Sequence, residues 1–225
     1  MPLFRRRQVW LPTLWGSVLL LTGAAAIVVT LALNAYDLLA PHRPARGPTG
    51  DGARTLVVEG WMQAPDLLQA VAVLRAGHYE RVLTTGGPIV DTWADGGKRW
   101  PNFAERSADF LRAHGVTSVP VIAVETPDVS KDRSYLSAVR VRNWVQQAGV
   151  AGQGVDVLSA GVHTRRSWLV YRMAFGDAAE VGALAAQPVD HDPRRWWATS
   201  EATKMTVGES LSLAWTTCCF WPARK

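Results

Sequence analysis

The residues best equipped for chemistry stand in Gly161-Val162-His163-Thr164-Arg165-Arg166, soon after the apolar run Val155–Leu158, with Gly161 a candidate to contact a ligand. An imidazole exchanges protons near neutral pH, so His163 is a candidate general acid or base, or a donor to phosphate. Arg166, three residues on, shares its helix face, and its planar fork suits a phosphate or carboxylate; Arg165 lies beside it. Glu59 closes another apolar run and is followed by Gly60 and Trp61. A carboxylate there can be a general base, a hydroxyl acceptor or a metal ligand, and equally the partner of a neighbouring arginine. Glu125 ends a third run and could orient a water or a hydroxyl. Thr85-Gly86-Gly87 ends a fourth; its amides can cradle an anion, although a plain tight turn needs the same glycines. Lys131-Asp132-Arg133-Ser134 opens a helix, where amides, dipole and two cations favour an anion, with Asp132 holding a cation in place. Capping by Ser130, with solvated charges, is the plainer reading.

Other clusters promise less. In Asp190-His191-Asp192 adjacent ligands cannot easily face one ion, and no further His or Cys is suitably spaced, so no metal site is expected. Ser159-Ala160-Gly161 resembles the end of a nucleophile elbow, but Val157 replaces the first glycine. Phosphate-loop and dinucleotide glycine fingerprints are missing, which argues against those enzyme classes and leaves any cofactor unknown. Pro193-Arg194-Arg195-Trp196-Trp197 is a loop able to close over a ligand or simply to pack by its indoles. Cys218 and Cys219 are neighbours and are expected as free thiols.

These groups need a frame to meet. β-branched runs at Thr55–Val58, Arg81–Thr85, Val119–Val124, Val155–Leu158 and Glu180–Ala185 alternate with helical patterns. The first helix carries Leu67, Ala70, Val71 and Leu74 on one face and stops at Gly77. Others are expected around residues 104–115, 131–149, 164–176 and 200–216. Such alternation with continuous apolar strands predicts an α/β fold: a Rossmann-like parallel sheet sandwiched by helices. Ligands of such sheets bind beyond the carboxyl ends of the strands, where every candidate above stands. The last helix places Val207, Leu211, Ala214 and Cys218 on one stripe, expected to pack against the sheet. A C-terminal tail touching a membrane, through Phe220, Trp221, Arg224 and Lys225, is the sharper alternative.

No formal charge occurs between Gln8 and Tyr36, and residues 14–33 are long enough for a single transmembrane helix through a lipid bilayer. Trp10, Trp15 and Tyr36 are placed as interfacial aromatics, and the segment is longer than the apolar core of a cleaved signal. Arg5, Arg6 and Arg7 outvote Arg43 and Arg46, which puts the following domain outside the cytoplasm. The chain thus divides into a membrane anchor (1–40), a Pro/Gly-rich linker (41–54) and a Rossmann-like domain (55–225). The net charge of +5 comes from the ends: between residues 47 and 223 there are 17 basic and 18 acidic residues. A near-neutral body argues against a nucleic-acid partner.

The strand-end motifs, in their order, resemble the SanA/ElyC/YdcF family of bacterial envelope proteins. The resemblance runs from about Leu56 to Trp221 and is carried by Val57-Val58-Glu59-Gly60-Trp61, Thr84-Thr85-Gly86-Gly87, Ala104-Glu105-Arg106, Lys131-Asp132-Arg133-Ser134-Tyr135, Gly161-Val162-His163-Thr164-Arg165-Arg166-Ser167 and Arg194-Arg195-Trp196-Trp197. The acidic-Gly-Trp and Lys-Asp-Arg forms mark a divergent branch. The resemblance implies a Rossmann-like domain behind one anchor in the cytoplasmic (inner) membrane, and a role in envelope integrity and peptidoglycan or lipid-carrier metabolism. It supplies no reaction. The expectation is a membrane-anchored envelope factor binding an anionic, phosphate-bearing ligand such as a lipid-linked sugar. Transferase or hydrolase activity is compatible with this, and so is a non-catalytic nucleotide-like binding module or an assembly scaffold.

Overall fold

The computed structural model describes residues 12–47, 50–89, 100–129 and 131–222. Outside them lie Arg5, Arg6, Arg7, Trp10, the proposed cap Ser130, Arg224, Lys225 and most of the Gly/Asp/Trp-rich loop after Pro88. The chain divides into two compact units, with the boundary between Ala35 and Tyr36. The first contains α1 (Leu14–Leu33), a helix with no buried residue. Its N-terminal amide on Gly16 is capped by Thr13, and its length and composition suffice to cross a membrane.

The second unit is an α/β sandwich. Its parallel sheet holds β1 (Thr55–Glu59), β2 (Arg81–Gly86), β3 (Val121–Glu125), β4 (Val155–Ala160) and β5 (Val181–Ala186), in the order β3-β2-β1-β4-β5. The strands read as apolar because both faces are covered. On one face Val57, Leu83 and Val124 pack with α5 (Arg133–Gln147) and α6 (Thr164–Phe175). On the other, Leu56, Val58, Val82 and Leu158 pack with α3 (Ala64–Ala76) and α4 (Phe103–Ala113). Successive strand residues point to opposite layers, which is why Leu56-Val57-Val58 serves both. The order reverses between β1 and β4, and a crevice must open there beyond the strand ends.

Three expectations change. Residues 41–54 are no free spacer, because a short helix, α2 (Ala35–Leu39), already begins the folded unit. Tyr36, Leu39 and Ala40 are buried with Val162 and Ala185, and Arg43 pairs antiparallel with Ala183. Ala45 donates its N–H to the buried Asp156, whose other oxygen accepts from Tyr79. Burial, opposed by these bonds, raises the Asp156 pKa, while burial and the Asp156 charge push up that of Tyr79. Gly182 makes room for this docking: a Cβ there would stand 2.2 Å from the Ala45 nitrogen.

The cysteines are a disulfide rather than free thiols: Cys218 is bonded to Cys219, with Cα atoms 3.8 Å apart. Helix α7 (Ser200–Cys218) ends there, and Cys219 leaves helical geometry at φ −132°. The apolar stripe of α7 does not pack on the sheet. The helix buries Ala202, Thr206 and Thr216 and turns Leu213 onto the Tyr36–Leu39 cluster. Val207, Leu211 and Trp215 remain 46%, 67% and 55% exposed.

Candidate functional site

Glu59 at the tip of β1 and Ala160 at the tip of β4 flank the point where strand order reverses. A cleft of about 1110 Å³ opens there, between the strand tips, the first turn of α5 and the inner side of α7. Of the residues singled out by sequence, Glu59, Trp61, Thr85, Gly86, Gly87, Asp132, Arg133, His163 and Arg166 line it. Four stretches of chain, 59–61, 85–87, 132–133 and 163–166, thus converge on one hollow.

Each arrives for a local reason. His163 ends a single 3-10 turn, Gly161–His163, that links β4 to α6, and Gly161 takes φ +38° to start it. Arg166 projects from the first turn of α6. Asp132 occupies the residue before α5 with φ +58°, a left-handed conformation that a short polar side chain tolerates, and its side chain makes no capping bond. Gly60 and Gly86 are required by packing: a Cβ would stand 2.5 Å from the Phe103 carbonyl oxygen and 2.6 Å from the Phe103 Cβ respectively. The Gly60 carbonyl accepts from Arg106 and Ser107, which locks the Glu59-Gly60-Trp61 corner to α4.

The wall of the cleft is an ion-paired triad. His163 Nδ1 lies 2.8 Å from Glu209 Oε1, and Arg166 Nε donates to Glu209 Oε2 at 2.8 Å. Arg166 Nη2 stands 3.0 and 3.1 Å from the two imidazole nitrogens, and Trp61 meets the imidazole edge-on at 4.7 Å. Burial opposes ionisation of Glu209, but the bonds and charges of His163 and Arg166 prevail and hold its pKa at about 2. A carboxylate on Nδ1 holds the neutral ring's proton there, and Nε2 then accepts from Arg166 Nη2.

The floor is different. Glu59 is 3% exposed and accepts from Ser159 and Ser167, the Ser167 bonds measuring 3.0 Å to each oxygen. Tyr171 lies close enough for burial and the Glu59 charge to hold its phenol proton firmly, and its hydroxyl has no hydrogen-bond partner among the described residues. Ser159 is fully buried with its hydroxyl turned to Glu59, so it is a support for the carboxylate and not a nucleophile facing the cleft.

Other candidates stand elsewhere. Glu125 and Lys131 are exposed and outside the cleft lining; the Glu125 carbonyl accepts from Arg140. Arg165 donates to the Leu38 carbonyl at 2.6 Å and serves the docking of α2. Gly161 faces a smaller cavity beside Tyr36 and Asp66. His191 pairs with Asp190, and Asp192 caps the 3-10 turn Pro193–Ala198, so those three are engaged separately.

Sequence reasoning missed Glu209, Ser167 as a ligand of Glu59, and the apolar end of the cleft formed by Tyr135, Leu211, Trp215 and Phe220. The signal for Glu209 was present: Ala202, Thr206, Glu209, Leu213 and Thr216 form a second stripe of helical spacing on α7. It was overlooked because the competing stripe is more apolar. Comparisons of this chain with protein-family models, curated proteins and solved structures find no match.

Proposed function

We propose that the cleft binds an anionic, phosphate-bearing ligand, such as a lipid-linked sugar, and that the protein serves cell-envelope or peptidoglycan biogenesis. In this reading it acts at the outer face of a bacterial inner membrane, held by α1, in the manner of the SanA/ElyC/YdcF proteins its motifs resemble. The observation that carries the reading is the triad of His163, Arg166 and Glu209 on one wall of a cleft at the sheet's switch point. Arg133 and Lys204 line the same cleft and take part in no ion pair among the described residues, so they supply charge that a phosphate can use. Tyr135, Leu211, Trp215 and Phe220 give the hollow an apolar end beside its charged one, which suits an amphiphilic ligand.

If the protein is an enzyme, His163 Nε2 is the atom to take or deliver a proton once a phosphate draws Arg166 Nη2 off it, with Glu209 orienting the ring. Glu59 orients a hydroxyl only if one of its serine donors yields place. That both Glu59 oxygens are already engaged favours the second reading, a binding module without chemistry.

Thermal melting of the protein with polyprenyl-phosphate sugars, nucleotides and inorganic phosphate tests this. A ligand at 100 times its dissociation constant stabilises by about 2.7 kcal/mol, or roughly 5–11 °C for a chain of this size. Arg166→Ala should abolish that shift. An equal shift in Arg166→Ala, or none with any phosphate-bearing compound, sinks the proposal; a shift without turnover selects the binding module.

A further inference from the structure

The cleft takes only Leu211 and Trp215 from the apolar stripe of α7 and leaves the rest of it uncovered. Val207, Leu211, Ala214, Trp215 and Cys218 recur at helical spacing and are all exposed, while the opposite stripe holds the helix to the domain. Trp221, just beyond the helix, is 86% exposed. Exposed apolar surface of this extent calls for a cover.

The geometry points to the surface of a lipid bilayer as that cover: α7 lies along the interface with Val207, Leu211, Trp215 and Trp221 against lipid. The inference rests on the reading that α1 crosses a membrane. Its first support is the tether. The apolar helix ends at Leu33, and Tyr36 is already buried in the folded unit, so three peptide links separate them. These span at most about 11 Å. The second is position: Tyr36 and Leu39 share their cluster with Leu213, which lies on α7 between Leu211 and Trp215. The outer stripe therefore lies across one helix diameter, roughly 10 Å, from the cluster with which the folded unit begins. The third is chemistry: Trp215 and Trp221 have the amphipathic rings favoured at membrane interfaces, and Lys204 and the sequence's terminal Arg224 and Lys225 suit anionic headgroups. Because Leu211 and Trp215 also line the cleft, its apolar end then opens at the lipid surface, where an amphiphile enters without crossing water.

The test uses the full chain in vesicles of phosphatidylcholine and phosphatidylglycerol. Nitroxide labels are placed by Val207→Cys or Gln147→Cys in a Cys218→Ser/Cys219→Ser background. Gln147 ends α5 about 20 Å of helix away from the turn that lines the cleft, and serves as the aqueous control. Label 207 should collide more with oxygen than with a nickel chelate, the reverse of label 147. Equal behaviour of the two labels overturns the inference, as does spin–spin broadening at 207 that vanishes on dilution with unlabelled chain, which assigns the stripe to a second copy. Quenching by brominated lipid of the chain with its disulfide intact, compared with Trp221→Phe, is a second measurement: a quenched Trp221 contribution supports the inference and an unquenched one overturns it. Retention after an alkaline carbonate wash reports on α1 separately, so a chain that stays bound with a water-exposed stripe refutes only the α7 contact.

Discussion

Two carboxylates face the same cleft and are held in opposite ways. Glu59 on the floor is buried and bonded only to neutral hydroxyls, Ser159 and Ser167. Glu209 on the wall is partly open and bonded to an imidazole and a guanidinium. The first owes its place to a strand tip in the centre of the sheet, the second to a helix added after the last strand. The difference teaches that position in the fold decides what an acid can do. A carboxylate at a buried tip must be satisfied within the core, whereas one on a covering helix can gather cations and orient them toward a ligand.

The largest effect should come from stripping the floor. Ser159→Ala with Ser167→Ala leaves a buried carboxylate without donors and should cost about 3–5 kcal/mol by chemical denaturation. A cost under about 1 kcal/mol means that Glu59 finds other partners and that floor and wall are alike. Glu209→Ala comes next, at about 2–3 kcal/mol, because Arg166 and His163 lose their shared partner in a partly open site.

The wall also carries a pH signature. Glu209 is held below its ordinary 4.5 at about 2, so its contribution is whole above about pH 4.5 and is lost as the pH falls toward 2. Glu209→Gln should flatten that part of the stability profile; an unchanged profile breaks the assignment of the wall. In ligand-dependent melting, Glu59→Gln should preserve the shift that Arg166→Ala removes, and the reverse pattern would move the ligand to the floor. The smallest effect belongs to the outer stripe: Val207→Thr should change the stability of the protein in detergent by no more than about 0.5 kcal/mol.

Much of the scaffold was legible in the chain. Five β-branched runs became five parallel strands, and Leu67, Ala70, Val71 and Leu74 became the buried face of α3. Periodicity reports these faithfully because both layers of the sheet are built from local patterns. Boundaries were less certain: the third run, expected from Val119, pairs from Val121 after Pro120. The strand-tip residues were also within reach, since a parallel sheet brings its tips to one rim whatever the strand order. Spacing put Arg166 on the helix face of His163; that Arg165, about 100° round the helix, is spent on the Leu38 carbonyl depends on a distant stretch of chain and shows only in the packed structure.

The alternation of strands and helices, the apolar helix long enough to cross a membrane and the set of tip residues could be read from the chain, because each depends on contacts within a short stretch of it. Only the packed structure decided that Glu209 reaches back 43 residues to Arg166, that Asp156 holds the Ala45 amide, and which side of α7 turns inward. Those outcomes balance burial of a weakly apolar stripe that satisfies buried polar groups against burial of a strongly apolar one that satisfies none, and that balance exists only once the partners stand in space.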